Sequence, residues 1–104
     1  MSGGLRDSVW FSILAVGAAP LVEEYLFRGL VYRGMRRTRK PAFAVLASAG
    51  IFALVHPPLS FVPVFGVGVA TALVFERSKL LLAPILAHAV YNAVMLEVAR
   101  RTVV

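Results

Sequence analysis

Glu23, Glu24, Arg28, His56, His88 and Asn92 stand in stretches that otherwise read as apolar, and their types and spacing could do chemistry. LVEEYLFRG (21–29) follows fifteen uncharged residues, Ser8 to Val22, and brings in two carboxylates and a guanidinium. A charged side chain at bilayer depth costs about 2.5–3.5 kcal/mol on insertion scales, so such groups are paired or functional by default. On a helix, residues four apart share a stripe, which sets Glu24 beside Arg28; Glu23 is turned by about 100° onto the stripe of Phe27. Glu24 therefore has a cation on its own helix, and Glu23 has none. That leaves Glu23 as the carboxyl free to take up and release a proton, the task of a general base. FALVH (52–56) puts His56 on the stripe of Phe52, and HAVYN (88–92) puts His88 and Asn92 side by side. Each feature alone has a structural reading, since an ion pair can lock helices and a lone histidine is usually a satisfied core residue. Together, on three apolar segments, they read as one site. Pro20 cannot donate to the carbonyl of Val16, so a kink is expected just before the carboxylates.

This inventory points to hydrolysis of an amide. Glu23 and His56 can hold and deprotonate a water, while His88 and Asn92 offer N–H donors from one helix face, as an oxyanion hole requires. The chain has no cysteine, and no serine is paired with a neighbouring histidine in the pattern, which leaves activated water as the nucleophile. This chemistry needs no cofactor. The competing reading is a zinc site at Glu23, His56 and His88, because two histidines and a glutamate form a catalytic ligand set. The HExxH helix that presents two ligands at once is absent, so those three ligands would have to converge from three helices.

Such residues need rigid elements to bring them together. The 104 residues suffice for one domain (1–104) and are 60% hydrophobic, with a mean hydropathy of +0.83. A chain this small cannot hide so much apolar surface in its own interior, so lipid is its expected solvent. Four apolar segments, 8–32, 41–56, 59–75 and 80–96, are each near the roughly 20 residues that cross about 30 Å of hydrocarbon. Helices satisfy their own backbone in lipid. The expectation is an all-α membrane protein, a bundle of four transmembrane helices over about 5–35, 41–56, 59–78 and 80–100. Small residues in Gly17-Ala18-Ala19, Ala47-Ser48-Ala49-Gly50 and Gly66-Val67-Gly68 would let those helices approach closely. The net charge of +6 sits beside the spans, which favours the anionic headgroups of a lipid bilayer over nucleic acid as partner. Arg33, Arg36, Arg37, Arg39, Lys40, Arg77 and Lys79 gather on one side, and Arg6, Arg100 and Arg101 on the other. By the positive-inside rule the first set is cytoplasmic.

The ordered set Glu23-Glu24-xxx-Arg28, Phe52-xxx-His56 and His88-xxx-Asn92, on successive apolar segments, resembles the CPBP family of intramembrane proteases. That family comprises CAAX proteases and bacteriocin-processing enzymes, the Rce1-like or Abi group. The resemblance covers nearly the whole chain, with its motifs at residues 23–92. It implies a multi-pass membrane endopeptidase with a four-helix catalytic core. In it, Glu23 and His56 activate the water, Glu24 and Arg28 support the site, and His88 with Asn92 stabilises the oxyanion. A metal-independent glutamate mechanism and a membrane-associated or lipidated peptide substrate go with it. The compact chain fits a prokaryotic plasma membrane. Family members usually carry further helices before the first motif, whereas 22 residues precede Glu23 here, as expected of a minimal core, a truncated gene product or an excised domain. Two other functions compete: a small four-helix proton-coupled exporter built around a membrane-embedded glutamate, and a catalytically inactive bacteriocin-immunity protein. An exporter needs neither Arg28 beside its glutamates nor His56, His88 and Asn92.

Overall fold

The computed structural model describes residues 8–102, which form four helices joined by short turns. They are α1 (Val9–Arg36), α2 (Pro41–Leu54), α3 (Phe61–Ser78) and α4 (Leu82–Thr102). The all-α expectation holds. Residues 5–7 of the expected first helix, and Arg6 with them, lie outside the described residues.

Local chemistry sets the helix limits. The Ser8 hydroxyl caps α1 by accepting from the Trp10 and Phe11 amides at 3.1 and 3.3 Å. Pro41 opens α2 at a position where a missing N–H costs nothing. Pro57 and Pro58 then disfavour helical backbone before them, and α2 closes at Leu54. Lys79 ends α3 in the left-handed region at φ 58°. By length and composition α1, α3 and α4 are able to cross a membrane. With 14 residues, α2 reaches about 21 Å and covers only part of the hydrocarbon thickness. Where four full spans are expected, the described residues hold three helices of spanning length and one shorter apolar helix. The chain is a multi-pass integral membrane protein, and Trp10, Leu21, Leu46, Val62 and Leu86 lie exposed on its surface, where lipid replaces water.

Successive helices run antiparallel, so the C-terminal ends of α1 and α3 meet at the basic end of the bundle. Tyr32, Ala44, Val45, Ala72 and Phe75 form the packed core there. Two of the three small-residue clusters meet in close approach, through Gly68 and Ala49. A Cβ on Gly68 would lie 3.0 Å from both Cα and Cβ of Ala49, whereas Gly17, Gly50 and Gly66 have nothing within 4 Å of that position. The Gly68–Ala49 contact draws α3 against α2.

The first helix is not a regular α-helix. Leu14–Ala18 and Tyr25–Tyr32 are π-helical, on either side of an α-helical Ala19–Glu24. Such segments are frequent at functional sites, and the carboxylates lie between these two.

Candidate active site

The first π segment follows from one proline. The Ala19 amide donates five residues back to the Leu14 carbonyl. In that register the next acceptor is Ala15 and the next donor would be Pro20, which has no N–H. The Asn92 side chain supplies the missing donor from α4, with Nδ2 2.8 Å from the Ala15 carbonyl. The break expected at Pro20 is thus a π turn, and the carbonyl it frees is Ala15, not Val16. An amide nitrogen carries two hydrogens, so Asn92 retains a second donor.

Beyond that turn, Glu24 and Arg28 point into the bundle and are fully buried. Their facing atoms, Glu24 Oε1 and Arg28 Nε, are 3.3 Å apart but off the line of a hydrogen bond; the nearest aligned contact is Arg28 Nη1 to Glu24 Oε2 at 3.4 Å. The pair is held more firmly by its other partners. His88 Nδ1 donates to Glu24 Oε2 at 2.7 Å, and Arg28 Nη2 donates to the Gly68 carbonyl. The same glycine that lets α3 approach α2 therefore also presents an acceptor to the buried guanidinium.

Glu23 faces a different environment, as its 100° offset requires. Its side chain is 32% exposed and lies between two imidazoles. Glu23 Oε1 is 3.4 Å from His88 Nε2, and Oε2 is 4.0 Å from His56 Nε2. His56 Nδ1 is 2.7 Å from the Phe52 carbonyl. That carbonyl can only accept, so Nδ1 carries the proton, and in the neutral ring Nε2 is bare. Glu23 and His56 therefore turn two acceptors toward one gap. His88, almost fully buried, directs one nitrogen at each glutamate and joins the sealed pair to the open carboxylate.

Five of the six residues named from the sequence, Glu23, Glu24, Arg28, His56 and His88, come together, while Asn92 contacts the Ala15 carbonyl instead. The spacing did not reveal the part played by Phe52. Its ring packs against Phe27, His56 and His88 at centroid distances of 5.1, 4.7 and 5.7 Å, and the Arg28 guanidinium lies 4.9 Å above it. Its place four residues before His56 was the available signal. Nothing in the sequence marked the carbonyls of Ala15 and Gly68.

The zinc set also has coordinates now. Ligands on tetrahedral zinc at 2.0–2.1 Å lie about 3.3 Å from one another, and the Glu23–His56 separation of 4.0 Å exceeds that. Among the described residues no group of three or more His, Cys, Asp or Glu side chains is arranged to hold a metal ion. The residues do not fit the metal as they stand.

Carboxylates, imidazoles and a guanidinium enclosed by lipid-facing helices define a multi-pass membrane protein with a polar centre at bilayer depth. The chain belongs to the Rce1-like family, type II CAAX prenyl endopeptidases, whose model matches residues 5–94. It is 40% identical over 80 residues to the membrane-embedded CAAX protease MroQ of Staphylococcus aureus (strain USA300), an overlap of 70% of this chain and 32% of that one. It is 31% identical over 74 residues to the putative membrane peptidase YdiL of Bacillus subtilis (strain 168), covering 70% of this chain and 30% of the relative. The chain thus spans about a third of the length of these curated relatives. No solved structure matches it.

Proposed function

We propose that this chain carries the catalytic centre of an intramembrane peptidase that cleaves membrane-associated or lipidated peptides with water activated by Glu23 and His56. The observation that carries the reading is the gap between Glu23 Oε2 and His56 Nε2. Two acceptors 4.0 Å apart repel unless a donor with two hydrogens lies between them, and water is the smallest such molecule. Glu23 takes one proton as the water oxygen attacks the carbonyl carbon, then passes it to the departing amine as the C–N bond breaks. The products are a carboxylic acid and an amine, so the balance closes without a co-reactant. With hydrogen on both ring nitrogens, His88 donates through Nδ1 to Glu24 and through Nε2 to the Glu23 carboxylate, and in that form Nε2 and the second Asn92 hydrogen are the donors that the oxyanion would meet. Glu24 and Arg28 keep His88 oriented from the sealed side.

The open side supports this substrate class. A cavity of about 290 Å³ is lined by Ala53, Leu54, His56, Pro58 and Phe61 and shares His56 with the water gap. Apart from His56 its walls are apolar, which suits an apolar side chain or a lipid chain next to the scissile bond. The names of the two relatives, a CAAX protease and a membrane peptidase, support the same reaction class.

One observation favours zinc as a second reading. Both histidines anchor Nδ1 on an acceptor and turn Nε2 toward Glu23, the orientation that metal-ligating histidines take. The two readings separate in one assay. Protein reconstituted in lipid with a peptide library should yield cleavage products that are absent with Glu23→Gln and unaffected by chelators. Activity lost on chelation and restored by zinc alone would transfer the site to the metal reading, and products unchanged by Glu23→Gln would remove it from Glu23.

A further inference from the structure

A second polar constellation lies at the basic end, outside the catalytic centre. Tyr32, Arg33 and Arg36 of α1, Phe75 and Glu76 of α3, and Lys79 line a cavity of about 170 Å³. Glu76 is its hub. It accepts from the Tyr32 hydroxyl, from Arg36 through Nε at 3.0 Å and Nη2 at 3.4 Å, and from Lys79 Nζ at 2.9 Å. One carboxylate thus faces two cations, Arg36 and Lys79, and with Arg33 included the lining carries a net charge of +2 (three positive groups less one negative).

Two details show a surplus of positive charge held in place. Among the described residues Arg33 has no carboxylate partner; its guanidinium lies 5.4 Å above the Phe75 ring at the cavity wall. Lys79 sits at φ 58°, a conformation that glycine adopts freely and lysine only at a cost. From there its ammonium reaches into the cavity.

The location specifies the ligand. The candidate spans end at Arg36 and Ser78, so the cavity lies at headgroup depth, where basic pockets between membrane helices bind anionic lipids. Leu30, one turn before Arg33, and Leu80 and Leu82, just after Lys79, are exposed beside it and offer acyl chains a surface. We propose that this cavity binds the phosphate of an anionic phospholipid headgroup, with Arg33 and Lys79 as its cations and Tyr32, Arg36 and Glu76 as its frame. This site is independent of the peptidase reading.

The test is native mass spectrometry of the protein released from mild detergent micelles containing phosphatidylglycerol, phosphatidylcholine or inorganic phosphate alone. One phosphatidylglycerol per chain should be retained where phosphatidylcholine is not, and Arg33→Gln with Lys79→Gln should weaken retention by about tenfold. Both side chains are exposed, and far-UV circular dichroism verifies that the helices remain. Arg100→Gln with Arg101→Gln, an equal charge loss at the opposite end, should leave retention unchanged. Equal retention of the two lipids, or equal loss in both double variants, would overturn the proposal in favour of diffuse attraction. Retention of inorganic phosphate with no gain from phosphatidylglycerol would overturn it in favour of a free-anion site.

Discussion

Replacing Glu24 by glutamine removes one charge from the sealed half of the site and little else. Glu24 and Arg28 are both inaccessible to solvent, so the guanidinium left behind cannot recover water. Removing one partner of a buried ion pair costs about 3–5 kcal/mol. Glutamine keeps the side-chain volume and, with its amide oxygen in place of Oε2, the short acceptance from His88 Nδ1, the Arg28 contact to that oxygen being long at 3.4 Å. Retaining one hydrogen bond offsets about 1 kcal/mol, which leaves an expected loss of about 2–4 kcal/mol. The assay is unfolding by sodium dodecyl sulfate in mixed micelles, followed by circular dichroism. The double variant Glu24→Gln/Arg28→Gln tests the cause, because it removes the stranded cation. Its loss should exceed that of the single variant by no more than about 1 kcal/mol, although the two sites taken separately would add to far more. A Glu24→Gln protein within about 0.5 kcal/mol of wild type, or strict additivity in the double variant, would refute the claim that this pair is desolvated and coupled.

Three further outcomes are expected. Glu23→Gln should abolish cleavage while changing unfolding free energy by less than about 1 kcal/mol, since its carboxylate is partly exposed and has no paired cation; the two measurements are made on one preparation. Asn92→Ala should cost about 1–3 kcal/mol by leaving the Ala15 carbonyl unpaired. The cost should shrink in a Pro20→Ala background, where the backbone regains an N–H, and an unchanged cost there would show that the proline is not what frees that carbonyl. Gly68→Val should cost at least about 2 kcal/mol by overpacking against Ala49. Gly66→Ala, with open space around it, should stay within about 0.5 kcal/mol in the same titration.

The parts of the site legible in the sequence are those that depend on one helix at a time. Glu24 with Arg28, and His56 four residues after Phe52, are local pairings fixed by the helical period. The division between a paired and an unpaired glutamate was legible for the same reason, and the structure separates them into a sealed and an open environment. What one sequence does not encode locally is which backbone groups another helix will meet. Gly68 differs in no local way from Gly66, yet only Gly68 touches a neighbouring helix and offers its carbonyl to Arg28. The length of α2 was overestimated because apolar character continues to His56, whereas the backbone answers to Pro57 and Pro58 three residues earlier.

The π segment after Glu24 carries the four-residue spacing of Glu24 and Arg28 on to Tyr32 and Arg36. In an α-helix a four-residue step overshoots a full turn by about 40°, so three such steps would carry a side chain about 120° around the axis. A π stretch, at about 4.4 residues per turn, falls short by nearly the same angle on each step. Tyr25–Tyr32 is π-helical and is followed by α-helix, so the opposing drifts offset one another. Glu24, Arg28, Tyr32 and Arg36 consequently remain on one line. They meet His88, the Gly68 carbonyl and then Glu76 twice. A regular α-helix with the same sequence would turn the later members of this series away from α3. The polar seam that ties the buried carboxylate to the basic end thus depends on a backbone register that the four-residue spacing requires but does not reveal.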